Sequence, residues 1–329
     1  MVDTTIYSTN VYMKKTILLA ALFLTIIASG QPVRRHGALQ VKGTQLSDSS
    51  GQPVVLRGMS LGWHNLWPRF YNAGAVHTLV NDWHCTVVRA AMGIELNDRG
   101  YLKAPAFSTE KVRAVVDAAI REGIYVIIDW HDHNIHQEQA IKFFGEMARL
   151  YGSYPNVIYE IYNEPDHETW PEVKAYSEAV IKTIRAVDPD NIILVGSPQW
   201  DQSIHLPAAD PIMNVSNIMY TVHFYAATHK QWLRDRTDEA IKKGIPVFIS
   251  ESAGMEASGN GPLDVAEWDR WIAWMEDRKL SWITWSVSDK DETCSVLLPS
   301  AGSEGGWSDS DLKESGKRIK TILTAKSAD

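Results

Sequence analysis

The sequence predicts an α/β protein folded as a single (β/α)8 barrel, the TIM-barrel architecture. Eight short runs rich in apolar and β-branched residues follow one another from residue 54 onward, and amphipathic stretches of helical period separate them. Two of the runs, Tyr125-Val-Ile-Ile-Asp129 and Asn191-Ile-Ile-Leu-Val195, are apolar at nearly every position. Both faces of such strands are expected to be covered, as in a parallel sheet wrapped by helices.

The elements follow in order. The runs lie at 54–61, 85–92, 124–130, 157–162, 191–195, 217–224, 246–250 and 280–286, with helices expected near 73–82, 108–122, 135–151, 170–187, 229–243, 263–278 and 309–324. Between the fifth and sixth strands only a weak helix is expected, over about 199–207. Eight such strands joined by right-handed crossovers close into a barrel of about 250 residues. Ahead of them, residues 39–54 with an Asp48-Ser-Ser-Gly51 turn read as a β-hairpin that closes the bottom of the barrel. No linker-like block or internal repeat interrupts the chain, so one catalytic domain is expected over 38–325, after a short segment at 31–37.

Residues 1–30 have the pattern of a signal peptide: Lys14 and Lys15, an apolar run over 17–28, then Ala28-Ser29-Gly30. The run is too short for a membrane anchor, so a secreted or periplasmic protein is expected. Met13, directly before the lysines, marks residues 1–12 as an upstream mis-start or a long leader. The net charge of −8 becomes −9 on removing Asp3, Lys14 and Lys15. Charges of both signs are interspersed, which excludes the basic stripe that nucleic acid requires. Cys85 is placed at the bottom of the second strand and Cys294 in a top loop. About four residues at roughly 3.3 Å each separate Cys85 from the rim, beyond disulfide reach, so two free thiols are expected.

In this architecture the active site is built at the C-terminal strand ends. Polar residues collect there: Arg89 near the end of strand two, Asp129-Trp-His131 at strand three, Asn163-Glu164-Pro165 at strand four, His223-Phe-Tyr225 at strand six, Glu251 at strand seven and Trp285 at strand eight. Strands four and seven face each other across the mouth, so Glu164 and Glu251 form an opposed carboxyl pair. Glycosidic hydrolysis needs such a pair, one carboxyl to protonate the leaving oxygen and one, ionised, to attack the anomeric carbon. The 13 Trp and 12 Tyr supply flat rings suited to the apolar face of a β-linked sugar. Arg89 is expected to hold Glu251 ionised, Asn163 to meet the sugar 2-hydroxyl, and His131 and His223 to bond hydroxyls or the carboxylates. Tyr225 is expected to donate to Glu251, and Trp285 to form a stacking floor. Trp67 and Trp200 are candidates for further platforms, with burial in the core as the alternative.

The segment Val157-Ile-Tyr-Glu-Ile-Tyr-Asn163-Glu164-Pro165 resembles the signature of glycoside hydrolase family 5, the cellulase family. Further matches are Leu56-Arg-Gly-Met-Ser60, Val87-Val-Arg89, Asp129-Trp-His131, His223-Phe-Tyr225, Ile249-Ser-Glu251 and Trp285-Ser-Val-Ser-Asp-Lys290, spanning about 38–325. The resemblance implies Glu164 as acid/base and Glu251 as nucleophile of a retaining endo-β-1,4-glucanase. It also places sugar contacts at His64, Lys290 and Glu292, although Trp63-His64-Asn-Leu-Trp67 departs from the Ser-His spelling of many relatives. The implied partner is a β-glucan chain, bound by a monomer that needs no metal or cofactor. A mannanase, xyloglucanase or mixed-linkage glucanase, or a non-catalytic polysaccharide-binding barrel, remain the alternatives. A phosphosugar isomerase would need a glycine-rich phosphate cradle after strands seven and eight, for which Ser258-Gly-Asn-Gly-Pro262 is the only candidate.

Overall fold

The computed structural model describes residues 31–326. The expected signal peptide at 1–30 lies outside the described residues. After a short helix, Pro32–His36, come the antiparallel strands β1 (Gln40–Lys42) and β2 (Gln45–Ser47). Eight parallel strands follow: β3 (Arg57–Leu61), β4 (Val87–Gly93), β5 (Tyr125–His131), β6 (Val157–Glu160), β7 (Ile193–Val195), β8 (Ile218–Tyr225), β9 (Val247–Ala253) and β10 (Trp282–Val287). They close into a barrel in sequence order, with β10 pairing back onto β3. The strands predicted fourth and seventh are β6 and β9.

Apolar side chains sit on both sides of the strands. Val87, Tyr125, Ile127, Ile158, Leu194, Met219, Phe248 and Ile283 fill the lower barrel interior, while Val88, Val126, Tyr159 and Ile193 belong to a larger cluster with the surrounding helices. This is the physical basis of the unbroken apolar runs, since neither face of these strands meets water.

The hairpin closes the bottom as expected: Leu39 and Leu46 join the interior cluster, and Asn217 at the foot of β8 accepts from the Val41 amide at 2.9 Å. Its turn, however, is placed differently. The chain reverses at Gly43-Thr44, with Gly43 at φ +63°, a conformation glycine adopts without penalty. Asp48-Gly51 makes a second reversal that sets Pro53 antiparallel to Ser47; Asp48 Oδ1 accepts from the Ser50 and Gln52 amides and so stabilises this later turn. The weak helix expected near 199–207 is two pieces, Pro198–Asp201 and His205–Ala209. Gln199, Trp200 and Asp201 all have φ near +60°, so the first piece is a left-handed turn rather than regular helix. Cys85 lies below β4 and Cys294 in the loop after β10, both buried and both free thiols. Among the described residues no helix is long and apolar enough to cross a membrane.

Candidate active site

Strand alternation places Arg89 of β4, Asp129 of β5, Glu160 of β6 and Glu251 of β9 together near the top of the barrel. Arg89 is fully buried and at the centre of this group. Its Nε donates to Glu160 Oε2 at 2.7 Å, its Nη1 to Glu251 Oε2 at 3.1 Å and its Nη2 to Asn163 Oδ1 at 2.6 Å, with Asp129 Oδ2 3.0 Å from Nη2. Burial by itself would discharge the guanidinium, but Asp129, Glu160 and Glu251 outweigh it and raise its pKa. In return, Arg89 and His223 hold Glu160 down to about 2 against the effect of burial. Sequence reasoning quoted Asp129 and Glu160 within motifs and assigned neither a role. The available signal was a carboxyl in the middle of an otherwise apolar strand, which is too costly to bury without a cation beside it.

β6 ends at Glu160, and the chain then leaves the sheet so that Asn163 and Glu164 turn over the barrel mouth. The Asn163 amide donates to Trp130 O at 3.0 Å and the Glu164 amide to Asp132 O at 3.2 Å, which ties this turn to the end of β5. Glu164 Oε1 lies 2.8 Å from His223 Nδ1, and Glu251 Oε1 accepts from the Tyr225 hydroxyl at 2.7 Å. One atom each of Glu164, His223 and Glu251 lie within 4.8 Å of one another. One oxygen of each carboxyl therefore faces the other across the barrel mouth. The same trio could be imagined around a cation, but His223 Nε2 already faces Ser250 Oγ at 2.9 Å and its Nδ1 faces Glu164.

Two carboxylates this close oppose each other's ionisation. Burial and the Glu164 charge raise Glu251, with His223 and Arg89 pulling the other way. Burial also acts to raise Glu164, yet hydrogen bonding and charge from His223 keep it below the ordinary range. Burial and Arg89 depress the His131 pKa well below its usual value.

Above the pair is an open cleft of about 400 Å³. His131 and Trp285 stack with centroids 4.9 Å apart at 6°, and Trp63 meets His131 edge-on at 4.3 Å. Trp67 and Trp200, predicted as platform or core, both line the cleft, as do Lys290 and Glu292, which form a 2.5 Å ion pair. Trp63 and His133 also line it and were not assigned by sequence.

His64 is the correction. It is fully buried and not part of the cleft lining. Its Nδ1 accepts from the Gly93 amide at 3.0 Å, while Nε2 lies 2.9 Å from Ser108 Oγ and 3.1 Å from Arg99 O. Burial lowers its pKa to about 4. The ring therefore fastens the loop after β4 from below, and the neighbouring Trp63 takes the place facing the cleft.

Opposed glutamates on the fourth and seventh strands of a (β/α)8 barrel, set beneath an aromatic cleft, define a barrel glycoside hydrolase. The chain belongs to glycosyl hydrolase family 5: the cellulase model of that family matches residues 47–291. It is 43% identical over 294 residues to an endoglucanase of Clostridium saccharobutylicum, covering 87% of this chain and 65% of that protein. The chain thus spans a little under two thirds of that relative's length. A solved structure from Cytophaga hutchinsonii superposes with a TM-score of 0.89 at 46% identity, covering 91% of this chain and 98% of the other. A variant of the Thermobifida fusca endoglucanase Cel5A catalytic domain, in complex with cellotetraose, superposes with a TM-score of 0.85 at 37% identity, covering 90% and 100%.

Proposed function

We propose that this chain is an endo-β-1,4-glucanase that cleaves internal bonds of cellulose-type chains with retention of configuration, Glu251 acting as nucleophile and Glu164 as acid/base. The observation that carries the mechanism is that one oxygen of each carboxyl lies within 4.8 Å of the other, the close facing arrangement that a directly attacking pair requires. Two fixed donors, Arg89 Nη1 and Tyr225 Oη, orient the Glu251 carboxylate for attack. Glu164 Oε1 lies 2.8 Å from His223 Nδ1, and its Oε2 lies 3.8 Å from His133 Nδ1. Formation of the glycosyl-enzyme requires Glu251 ionised and a proton on Glu164.

Each remaining residue then has a task. Glu164 protonates the leaving oxygen, and after that sugar departs it takes a proton from the water that releases the glycosyl group from Glu251. The Asn163 Nδ2 hydrogens are available to the 2-hydroxyl, because Arg89 occupies its Oδ1. Trp285, Trp63, Trp67 and Trp200 offer faces to successive glucosyl units. The relatives named as endoglucanases and the cellotetraose complex support the substrate class. Export by the leader at 1–30 and action as a monomer belong to the same proposal, and N-terminal sequencing of protein recovered outside the cytoplasm tests the first.

Glu251→Gln should reduce turnover of cellopentaose to below about a thousandth of wild type while substrate still binds. Retention of a tenth of the activity would refute the nucleophile. Proton NMR of the first products should show the β-anomer, and an initial α-anomer would refute direct attack. A panel of carboxymethylcellulose, glucomannan, xyloglucan and barley glucan distinguishes the glucanase from its mannanase, xyloglucanase and mixed-linkage rivals.

A further inference from the structure

Outside the cleft, the loops that follow β4 and β5 bring together three side chains that the hydrolytic chemistry does not use. Glu95 lies just beyond β4, and Asp132 and His136 lie between β5 and the helix Gln137–Tyr151. One ligand-type atom from each lies within 4.8 Å of the others. None of the three lines the cleft.

The Asp132 carboxyl is what separates this group from an ordinary surface cluster. Asp132 is only 3% exposed, and its Oδ1 accepts from the His133 amide at 2.8 Å. Its Oδ2 is buried and accepts no hydrogen bond, yet it points at His136 Nε2 from 3.4 Å. A buried carboxylate oxygen without a donor is expensive. We propose that Glu95, Asp132 and His136 form a binding site for one divalent cation of the zinc class, with Asp132 Oδ2, His136 Nε2 and Glu95 Oε1 as its ligands.

The chemistry of the set selects the ion. One imidazole and two carboxylates suit zinc better than calcium or magnesium, which prefer all-oxygen shells. Metal bonds of about 2.0 to 2.1 Å separate tetrahedral ligands by about 3.3 Å. Asp132 Oδ2 and His136 Nε2 are already at 3.4 Å. Glu95 Oε1 is closer to Nε2, at 2.6 Å, and must retreat by a fraction of an ångström, which its side chain, 43% exposed, is free to do. The outer contacts needed to hold the ligands exist: the His133 amide fixes the other Asp132 oxygen, and Asn134 Nδ2 donates to Glu95 Oε2 at 3.1 Å. Three protein ligands leave a fourth position for water. Such a cation would fasten the β4 loop to the β5 loop, whose Asp132 carbonyl also holds the Glu164 amide.

The test uses the chelator-treated full chain titrated with zinc chloride alone, followed by calorimetry and by the unfolding midpoint. One equivalent is expected to bind and to raise the midpoint, with affinity at least a hundredfold weaker in both Glu95→Gln and His136→Gln. Both variants should retain metal-free hydrolysis and the circular dichroism of wild type. Crystals soaked in zinc should show an anomalous peak bounded by the three side chains. Absence of one-equivalent binding, undiminished affinity in the variants, an anomalous peak only elsewhere, or tighter binding of calcium than of zinc would each overturn the assignment.

Discussion

At the scale of single residues, the contact least visible in the sequence is Asp201. It is fully buried on the left-handed turn at φ +60°, with Oδ2 2.5 Å from Thr221 Oγ1 and 3.3 Å from His223 Nε2. Burial raises Asp201, whereas His223 is raised because Asp201, Glu160 and Glu164 together outweigh its own burial. Asp201 thus acts on the cleft through His223 and is a positioning residue for Glu164. Asp201→Asn keeps a side chain that tolerates positive φ and removes the charge. His223 should then lose its proton more readily and hold the Glu164 carboxylate less firmly, so Glu164 stays protonated to higher pH. The alkaline limb of kcat/KM should move upward; a limb that stays in place would show that the Asp201–His223 contact carries no charge. His64 gives a second residue-scale prediction. Its folded pKa, about 4, is below the unfolded value of 6.5. The unfolded chain therefore binds the extra proton between those values, and the ring's stabilising contribution is lost as pH falls from 6.5 towards 4. His64→Gln should cost roughly 1 to 3 kcal/mol at pH 7. Urea denaturation should show that difference shrinking towards pH 4, while KM for cellopentaose stays at its wild-type value, which a sugar-contacting His64 would not allow.

At the scale of elements, the hairpin β1–β2 is separable from the chemistry. Leu46, 2% exposed, packs into the lower interior cluster at the barrel end opposite the cleft. Leu46→Ala should destabilise the fold by about 2 to 5 kcal/mol in urea unfolding without altering KM. A change in KM would mean that the plug governs the mouth. The strands were legible in the sequence because burial on both faces writes itself as unbroken apolar runs, and all eight were found in order. Their ends were less legible. β6 stops at Glu160, three residues before Asn163, because the turn that presents Glu164 bonds to the end of β5 rather than continuing the ladder with β7. The hairpin turn was misplaced for a related reason: Asp48-Ser-Ser-Gly51 is a true turn sequence, but Gly43 reverses the chain first. The opposed glutamates were visible from strand order alone. Asp201 was not, since its role depends on a turn whose three successive positive φ values follow no repeating pattern. His64 was misread because proximity to the rim along the chain does not say whether a side chain points up or down.

At the scale of the whole molecule, charge and substrate make opposite demands that salt can separate. The chain carries a net charge of −8, and Glu164, Glu251 and Glu292 outnumber Lys290 among the charged groups of the cleft lining. A neutral cello-oligosaccharide meets no long-range field, and its recognition by rings and hydrogen bonds is local. Carboxymethylcellulose is a polyanion and is repelled both by the protein as a whole and by the cleft. Raising ionic strength from about 0.01 M to about 0.15 M shortens the screening length from about 30 Å to about 8 Å. KM for carboxymethylcellulose should therefore fall severalfold over that range, while KM for cellopentaose and kcat for both substrates remain flat. The kcat values should not move because Arg89 and the carboxyls it holds are buried, where mobile ions do not enter. A fall in KM for the neutral substrate of the same size would instead place the salt effect on the fold of the cleft loops, and an unchanged KM for the polyanion would show that the field at the mouth is already neutralised.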